Sequence, residues 1–339
     1  MTASESRQMQ RVLSAWRKSR GASAKEGHEE LQKVLAKLRK LGRRATLEEF
    51  KESPLVAKLN SPIQFHGLGN MIYNNSGDND EEVQKALHVW KIAMDKGSEK
   101  AKFSYALCMK KGIGFAKKDA VGATKYFKEL TATGHGWGTF AYADALNNGE
   151  GTRKNEKKAF ELYKKCAETG VPPAYMNVSN MYTSGTGTQK NELEALKWLI
   201  KAAEAGDPTA KSRLGEYYSL GKGGVQKNQA RAVQYYKEAA TAGIVLAQYN
   251  LGYLFLTGDG VPQDPLQAEA LFRKAAEKGF VMAMVNLAQM YRTGYGKVPK
   301  ELETARKWLE LAAPHDPNAK ELLKAMTEAD TTKEIASKN

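Results

Sequence analysis

Residues that build metal centres, disulfides and membrane spans are scarce in this chain of 339 residues. It contains two cysteines and five histidines, and no histidine lies in a metal-ligand pattern with a second histidine, a cysteine or a carboxylate. No apolar run approaches the roughly 18 residues that are needed to span a bilayer. The sequence therefore predicts no metal site, no cofactor and no membrane span.

Catalytic motifs are missing as well. The chain has no G-x-S-x-G nucleophile elbow, and its glycine-rich loops lack the G-x-x-x-x-G-K-[ST] pattern of a phosphate-binding loop. We therefore predict that the protein is not an enzyme and has no catalytic residues. The alternative is an enzyme whose site the residue types do not reveal.

The two cysteines, Cys108 and Cys166, are predicted to be buried helix residues rather than partners in a disulfide. The start of the chain also lacks the apolar segment of a secretory signal. Both observations favour an intracellular, reducing compartment.

One motif returns every 36 or 37 residues along most of the chain. A glycine closes the first six copies, and an aspartate closes the last. A fixed period of this length is typical of a stack of small units and not of one globular core. It favours an extended binding surface over an active site. The closing residues are Gly97, Gly134, Gly170, Gly206, Gly243, Gly279 and Asp316.

Each copy also carries an alanine that is followed four positions later by a bulky residue. This spacing places both side chains on one helix face, so we predict that they form the core. The alanines are Ala86, Ala123, Ala159, Ala195, Ala232, Ala268 and Ala305. The bulky residues are Trp90, Phe127, Tyr163, Leu199, Tyr236, Phe272 and Leu309.

The first helix of each predicted pair has a bulky residue followed by a small one, as in Leu251-Gly252. Glycine inside a helix costs about 1 kcal/mol relative to alanine. We expect close packing against the neighbouring helix to compensate for that cost.

A G-x-G loop joins the two helices of most copies, and a polar residue after the loop is predicted to cap the second helix. Two capping boxes, Thr46-x-x-Glu49 and Ser61-x-x-Gln64, predict further helix starts. The predicted N-cap residues are Asp119, Asn155, Asn191, Asn228 and Asp264.

These residues resemble the Sel1-like repeat family, a relative of the tetratricopeptide repeats. The family pattern A-x-x-N-L-G-x-x-[YF]-x-x-G-x-G-V-x-x-D-x-x-x-A is nearly complete from Ala247 to Ala268. In the first copy, Asn75-Ser76-Gly77 replaces G-x-G, and Glu82 occupies the N-cap position. In the last copy, Glu301 occupies the N-cap position. The resemblance implies an all-α, right-handed solenoid of about seven helix-turn-helix repeats.

We divide the chain into three parts. Residues 1–60 form a basic helical N-terminal extension, and residues 61–327 form the repeat solenoid. The solenoid ends in a capping helix over 317–327, with Leu322, Leu323 and Met326 on its buried face. Residues 328–339 are a polar tail.

The net charge of +14 is concentrated near the N-terminus. Three interpretations of residues 1–60 remain open. They are helices that cap the solenoid with a solvated basic face, a segment that binds RNA phosphates, and an organelle-import presequence. The basic patch in this extension consists of Lys33, Lys37, Arg39, Lys40, Arg43 and Arg44.

Polar residues recur at one position of the first helix, at Asn177, Asn250 and Asn286, with Ser104 and Arg213 in the same phase. The resemblance implies that first helices line a concave groove. An amide can both donate to and accept from a partner's backbone. The alternative is that asparagine is the family's usual helix residue at this position and satisfies a buried loop.

The resulting hypothesis is a non-catalytic scaffold or adaptor. It would hold a protein segment on the concave face and use residues 1–60 as a second contact, with RNA as one candidate partner. The charge favours a ribonucleoprotein assembly such as an organellar ribosome, with a mitochondrial location preferred to a cytoplasmic one. The alternative hypothesis is an adaptor subunit of a ubiquitin-ligase or signalling complex.

Overall fold

The structure, a computed structural model, describes residues 46–51, 59, 61–77 and 79–338. Helix is the only regular secondary structure in these ranges. The helices are α1 Leu47–Lys51, α2 Pro62–Asn75, α3 Asp80–Asp95, α4 Glu99–Lys111, α5 Ala120–Ala132, α6 Gly136–Asn148, α7 Glu156–Glu168, α8 Pro172–Ser184, α9 Glu192–Glu204, α10 Pro208–Leu220, α11 Gln229–Thr241, α12 Val245–Thr257, α13 Pro265–Ala276, α14 Val281–Thr293, α15 Leu302–Ala312 and α16 Pro317–Lys338.

The helices belong to two compact units, Met1–Leu162 and Tyr163–Asn339. Within each unit, the main contacts join helices that follow one another in the chain, such as α2 with α3 and α12 with α13. Packing between sequential neighbours is the property that defines a repeat stack. The all-α repeat architecture predicted from the sequence is confirmed.

The predicted core positions are buried in every copy. All seven alanines of the second helices have no exposed surface, and the bulky residue four positions after each is at most 3% exposed. Alanine lets the backbones of two helices approach, and the large side chain one turn later fills the space beside the crossing. The i, i+4 prediction is therefore confirmed for the whole set.

Small residues on the first helices lie directly against these large side chains. A Cβ atom added at Gly252 would lie 2.9 Å from the Phe272 ring. In another copy, the Ser179 hydroxyl donates to the Ala195 carbonyl at 2.8 Å. Close packing does accompany the helical glycine, as the sequence predicted.

The loops turn the chain through left-handed glycines. Gly258 and Gly260 have φ of 75° and 76°, a region in which other residues are strained. A Cβ at Gly260 would also lie 2.7 Å from the backbone carbon of Gln229, so the loop packs on the preceding second helix. All five predicted N-cap residues accept a hydrogen bond from a backbone N–H group of the next helix.

The first copy requires a correction. Glu82 was predicted to occupy the N-cap position, but Asn79 caps α3 by accepting from the N–H groups of Glu81 and Glu82. The helix begins one turn earlier because Asn79 provides an acceptor before Glu82 is reached. Glu82 lies in the first turn and pairs with Lys85 at 2.7 Å.

The predicted capping boxes are both present. The Thr46 N–H donates to the Glu49 carboxylate at 2.7 Å, and the Ser61 N–H donates to the Gln64 side chain at 3.2 Å. Of the predicted extension 1–60, only residues 46–51 and 59 are described. The predicted basic patch, Lys33 to Arg44, lies outside the described residues.

The last copy ends largely as predicted. Glu301 is the N-cap residue of α15, although its carboxylate accepts from the Thr304 hydroxyl at 2.8 Å and not from a backbone N–H. Asp316 caps α16 through the Asn318 N–H at 2.8 Å. Met326 is buried, and α16 continues to Lys338 through the segment that was assigned to a polar tail.

Both cysteines are buried thiols outside any disulfide, which confirms the prediction. Burial raises the pKa of the Cys108 thiol to about 12, against a weaker opposing effect of its hydrogen bond with Tyr73. A thiol with so high a pKa is a poor nucleophile at neutral pH. Cys108 is therefore a packing residue.

Candidate functional site

The first helices of the second unit form a row of neighbours, α8, α10, α12 and α14. The Arg213 guanidinium on α10 donates to the Asn180 side chain on α8. Helix α10 contacts α12 directly. Burial raises the pKa of Tyr249 on α12, and the Asn286 side chain on α14 opposes that rise, so these two side chains lie near each other. These contacts place successive first helices side by side.

The predicted partner-binding residues of this unit are all half-buried. Asn177, Arg213, Asn250 and Asn286 each lie on a different helix of the row and keep part of their surface accessible to solvent. Ser104, the fifth predicted residue, is half-buried on α4 of the first unit. The structure thus brings four of the five residues onto one set of adjacent helices.

Two of the asparagines lie near tyrosine hydroxyls. Burial raises the pKa of Tyr236 to about 12, and the nearby Asn250 side chain opposes the rise. Burial also raises the pKa of Tyr249, and the Asn286 side chain opposes that rise. An amide has two donor hydrogens and two acceptor lone pairs, so it keeps capacity for a partner beside one such neighbour. The structural role and the binding role are compatible.

Large apolar side chains lie exposed on the same two helices. Leu246 and Tyr253 on α12 are 46% and 50% exposed, and Met282 on α14 is 54% exposed. Tyr249 on α12 and Val285 on α14 are partly buried against the core of this unit. Leu246, Asn250 and Tyr253 have i, i+4, i+7 spacing and therefore share one helix face.

Sequence reasoning missed these apolar residues, although a signal was present. Tyr253 occupies the phase that holds Asn180, Glu216 and Gln289 in the other copies of the second unit. A large aromatic residue at a position that is polar in those copies predicts an exposed aromatic side chain. We use the name partner face for the exposed and half-buried residues Leu246, Tyr249, Asn250, Tyr253, Met282, Val285 and Asn286.

Charged groups beside the partner face have side-chain partners. On α10, Glu216 pairs with Lys222 at 2.6 Å. On α14, the Arg292 guanidinium donates to the neutral Gln289 side chain at 3.0 Å and keeps its positive charge. The partner face itself offers apolar area and amide groups.

A separate polar cluster joins α13 to α14. The Glu269 carboxylate accepts from Arg273 and from the Tyr291 hydroxyl. Burial and the bond to Glu269 raise the pKa of Tyr291 to about 12. A tyrosine that donates to a carboxylate and is protonated at neutral pH acts as a structural bridge, so this cluster fixes the register of the two helices.

Among the described residues, no group of three His, Cys, Asp or Glu side chains is arranged to hold a metal ion. No helix in the described part of the chain is both long and apolar enough to cross a membrane.

The family model of the Sel1 repeat matches six segments that together cover more than half of the chain: residues 100–132, 138–170, 172–207, 208–244, 245–280 and 281–313. The chain belongs to the Sel1 repeat family. Sel1-repeat proteins are typically protein-interaction scaffolds. Helices α2 and α3 form one further pair before the first matched segment.

Two solved structures are similar to this chain over most of its length. One is c5321, a protective antigen present in uropathogenic Escherichia coli strains that displays an SLR fold. It is 28% identical with a TM-score of 0.70, and the match covers 78% of this chain but only 56% of the antigen. The other is a Sel1 repeat protein from Oxalobacter formigenes, 30% identical with a TM-score of 0.62, over 73% of this chain and 96% of that one. Comparison with the curated proteins finds no match.

Proposed function

We propose that this protein is a non-catalytic scaffold that binds a segment of a partner protein on the partner face of the second unit. The observation that carries the proposal is the coexistence of exposed apolar side chains and half-buried amides on α12 and α14. Large exposed apolar residues that cluster on one face mark interaction sites, whereas single ones are ordinary. The asparagine position extends the site along the row to Arg213 and Asn177.

The two kinds of group have different roles in such a contact. Tyr253, Leu246 and Met282 supply apolar area, and an aromatic residue of this kind is a frequent binding hot spot. Asn250 and Asn286 supply directional hydrogen bonds that suit the backbone of the partner segment.

The assembly in which the scaffold acts is a finer proposal. We infer a ribonucleoprotein assembly, such as an organellar ribosome in the mitochondrion, from the net charge of +14 and the six basic residues of the patch between 33 and 44. Clustered Lys and Arg gain affinity for RNA by releasing counterions. An adaptor of a ubiquitin-ligase or signalling complex would instead bind its partner without RNA.

Affinity capture with the full-length chain tests both proposals. The variant Asn250→Ala/Tyr253→Ala/Asn286→Ala removes two amides and one aromatic ring from the partner face. The matched control is Val121→Ala/Leu193→Ala/Leu266→Ala, which removes exposed apolar groups from second helices. Each bait is used with and without RNase, and captured proteins are quantified by mass spectrometry.

The scaffold proposal predicts a specific protein that the wild type and the control capture, and that the partner-face variant loses by at least about tenfold, which is roughly 1.4 kcal/mol. Equal capture by all three would reject the partner face. Loss of the same protein on RNase treatment would support the ribonucleoprotein setting, and survival would favour the adaptor.

A further inference from the structure

Two loops of the first unit lie next to each other and carry an unusual charge. Residues 112–119 join α4 to α5, and residues 149–155 join α6 to α7. The Thr124 hydroxyl on α5 donates to the Glu150 carbonyl at 3.1 Å, and the Lys110 ammonium at the end of α4 lies 2.9 Å from the Glu150 carboxylate. The second loop therefore packs on α5 beside the first loop.

Positive charge predominates at this position. Between residues 110 and 119 there are four lysines and one aspartate, and between 150 and 158 there are one arginine, three lysines and two glutamates. We use the name basic edge for the exposed cations of the two loops and of the first turn of α7. They are Lys117, Lys118, Arg153, Lys154, Lys157 and Lys158.

The carboxylates at this edge are already engaged. Asp119 accepts from the Gly122 N–H at 2.8 Å as the cap of α5. Glu156 pairs with Lys154 at 2.6 Å, and Glu150 pairs with Lys110. For Lys117, Lys118 and Arg153, no carboxylate of the described residues lies within ion-pair distance, so their charge faces solvent.

Loop cations recur in the second unit, but fewer of them lack a carboxylate partner. Lys190 lies 3.6 Å from the Glu192 carboxylate, and Lys222 lies 2.6 Å from Glu216. In loops 185–191 and 221–228 this leaves Lys227 as the exposed lysine with no carboxylate of the described residues within ion-pair distance. The next loop, 258–264, carries Asp259 and Asp264 and no basic residue, and it separates these loops from Lys297 and Lys300. The basic edge differs in having several such cations on two adjacent loops.

The surroundings of the basic edge favour phosphate over a protein surface. The starts of α5 and α7 lie at the same edge, and the positive end of a helix dipole favours anions. A stable protein interface needs an apolar core, but Val121 is the single exposed large apolar residue in the described part of 100–162. Phe115, the aromatic residue of the first loop, packs on Tyr105 with ring centroids 5.5 Å apart and does not offer a stacking surface.

We propose that the basic edge binds the phosphate backbone of nucleic acid without reading its bases. This inference concerns a different unit from the partner face and holds or fails independently of the scaffold proposal. Because affinity would come from cations alone, binding has to weaken steeply with salt and be indifferent to base identity.

Fluorescence anisotropy of labelled 20-nucleotide oligo(U) and oligo(A) RNA with the full-length protein tests the proposal. The variant is Lys117→Ala/Lys118→Ala/Arg153→Ala/Lys154→Ala. The control, Lys227→Ala/Lys274→Ala/Lys307→Ala/Lys320→Ala, removes four exposed cations from the second unit. A third variant, Lys33→Ala/Lys37→Ala/Arg39→Ala/Lys40→Ala, removes cations of the N-terminal patch. Circular dichroism checks that each variant keeps its helix content.

We expect the edge variant to bind about tenfold more weakly and to lower the slope of log K against log salt by about 3, at roughly 0.7 per phosphate contact on a single strand. The control should change affinity less than about twofold. An equal loss in the control would show a net-charge effect and overturn the proposal. A loss of RNA affinity in the N-terminal variant alone would also overturn the proposal. Equally tight binding of polyglutamate would overturn it as well, because it would indicate an acidic protein partner.

Discussion

The first helix pair, α2 and α3, and the sixth, α12 and α13, solve the same packing problem with different loops. Both place a glycine of the first helix against an aromatic residue of the second. An added Cβ would lie 2.4 Å from Trp90 at Gly69 and 2.9 Å from Phe272 at Gly252. The sixth pair has the G-x-G loop, whereas the first has Asn79 and one left-handed glycine, Gly77.

The difference teaches which part of the motif is indispensable. At these two crossings a side chain in place of the glycine would overlap a buried ring, and the copies that lack glycine have only alanine or serine at this position. The loop has only to reverse the chain and provide an acceptor for free N–H groups, and several residue types do both. The crossing therefore defines the repeat, and the loop can be replaced.

Removing the aromatic residue at a crossing should have the largest effect. Phe272→Ala deletes a side chain with no exposed surface and leaves a cavity, so we expect a loss of about 3–5 kcal/mol in the free energy of unfolding. Trp90→Ala should cost a similar amount if the two pairs are equivalent. Urea denaturation followed by circular dichroism measures both. Leu266→Ala, at a 47% exposed position on α13, is the control and should change stability by less than about 0.5 kcal/mol.

Filling the crossing should have the next largest effect. Gly69→Ala and Gly252→Ala improve helix propensity by about 1 kcal/mol, but overpacking costs about 1–3 kcal/mol. We expect a net loss at both sites, larger at Gly69, where the overlap with the ring is closer. In a double-mutant cycle, Phe272→Leu should reduce the cost of Gly252→Ala. A stabilising Gly69→Ala would show that the crossing tolerates a side chain.

The loops should contribute less than the crossings. Asn79→Ala and Asp264→Ala each remove a cap of a second helix, and we expect each to cost about 1 kcal/mol in the same denaturation experiment. Asn79→Asp keeps the acceptor and should be nearly neutral. If Asn79→Ala has no effect, the corrected start of α3 is wrong.

The smallest expected effect is a pH dependence at a cap of the first unit. His135 Nδ1 accepts from the Gly138 N–H at 3.0 Å, and burial lowers the pKa of the imidazole below its usual 6.5. In the window between the lowered pKa and 6.5, the unfolded chain binds more protons, so stability is complete above 6.5 and falls as the pH drops through that window.

His135→Asn keeps an acceptor that does not titrate, so this variant should lose less Tm than the wild type between pH 7.5 and pH 5.5. His88, whose pKa burial also lowers, contributes equally to both proteins. Identical Tm losses would mean that His135 does not act as a titrating cap.

The sequence predicted most of the fold because period and phase report on packing directly. Period and phase together predict the alanine and aromatic positions, the helical glycines and five N-caps. The sequence did not predict Asn79 as the cap of α3, because the caps of the other copies stand at the position that Glu82 occupies in this one. It also missed Tyr253 as an exposed residue, because an aromatic in a core-like repeat was assigned to packing.

For the candidate site, the sequence predicted the asparagine positions but not their proximity to Tyr236 and Tyr249. That proximity depends on how neighbouring helices rotate against each other, and no single repeat encodes that rotation. Whether the asparagines contact a partner stays a prediction.

Site-specific photo-crosslinking tests the central claim most directly. A benzoylphenylalanine is placed at Tyr253 on the partner face or, as the control, at Leu193 on α9, where exposure is similar at 60%. We expect the crosslinker at position 253 to capture one discrete protein adduct and the crosslinker at position 193 to capture none. Adding Asn250→Ala/Asn286→Ala to the protein with the crosslinker at position 253 should remove that adduct. The same adduct from both positions, or none from Tyr253, would contradict the claim that the first-helix face of the second unit is the binding surface.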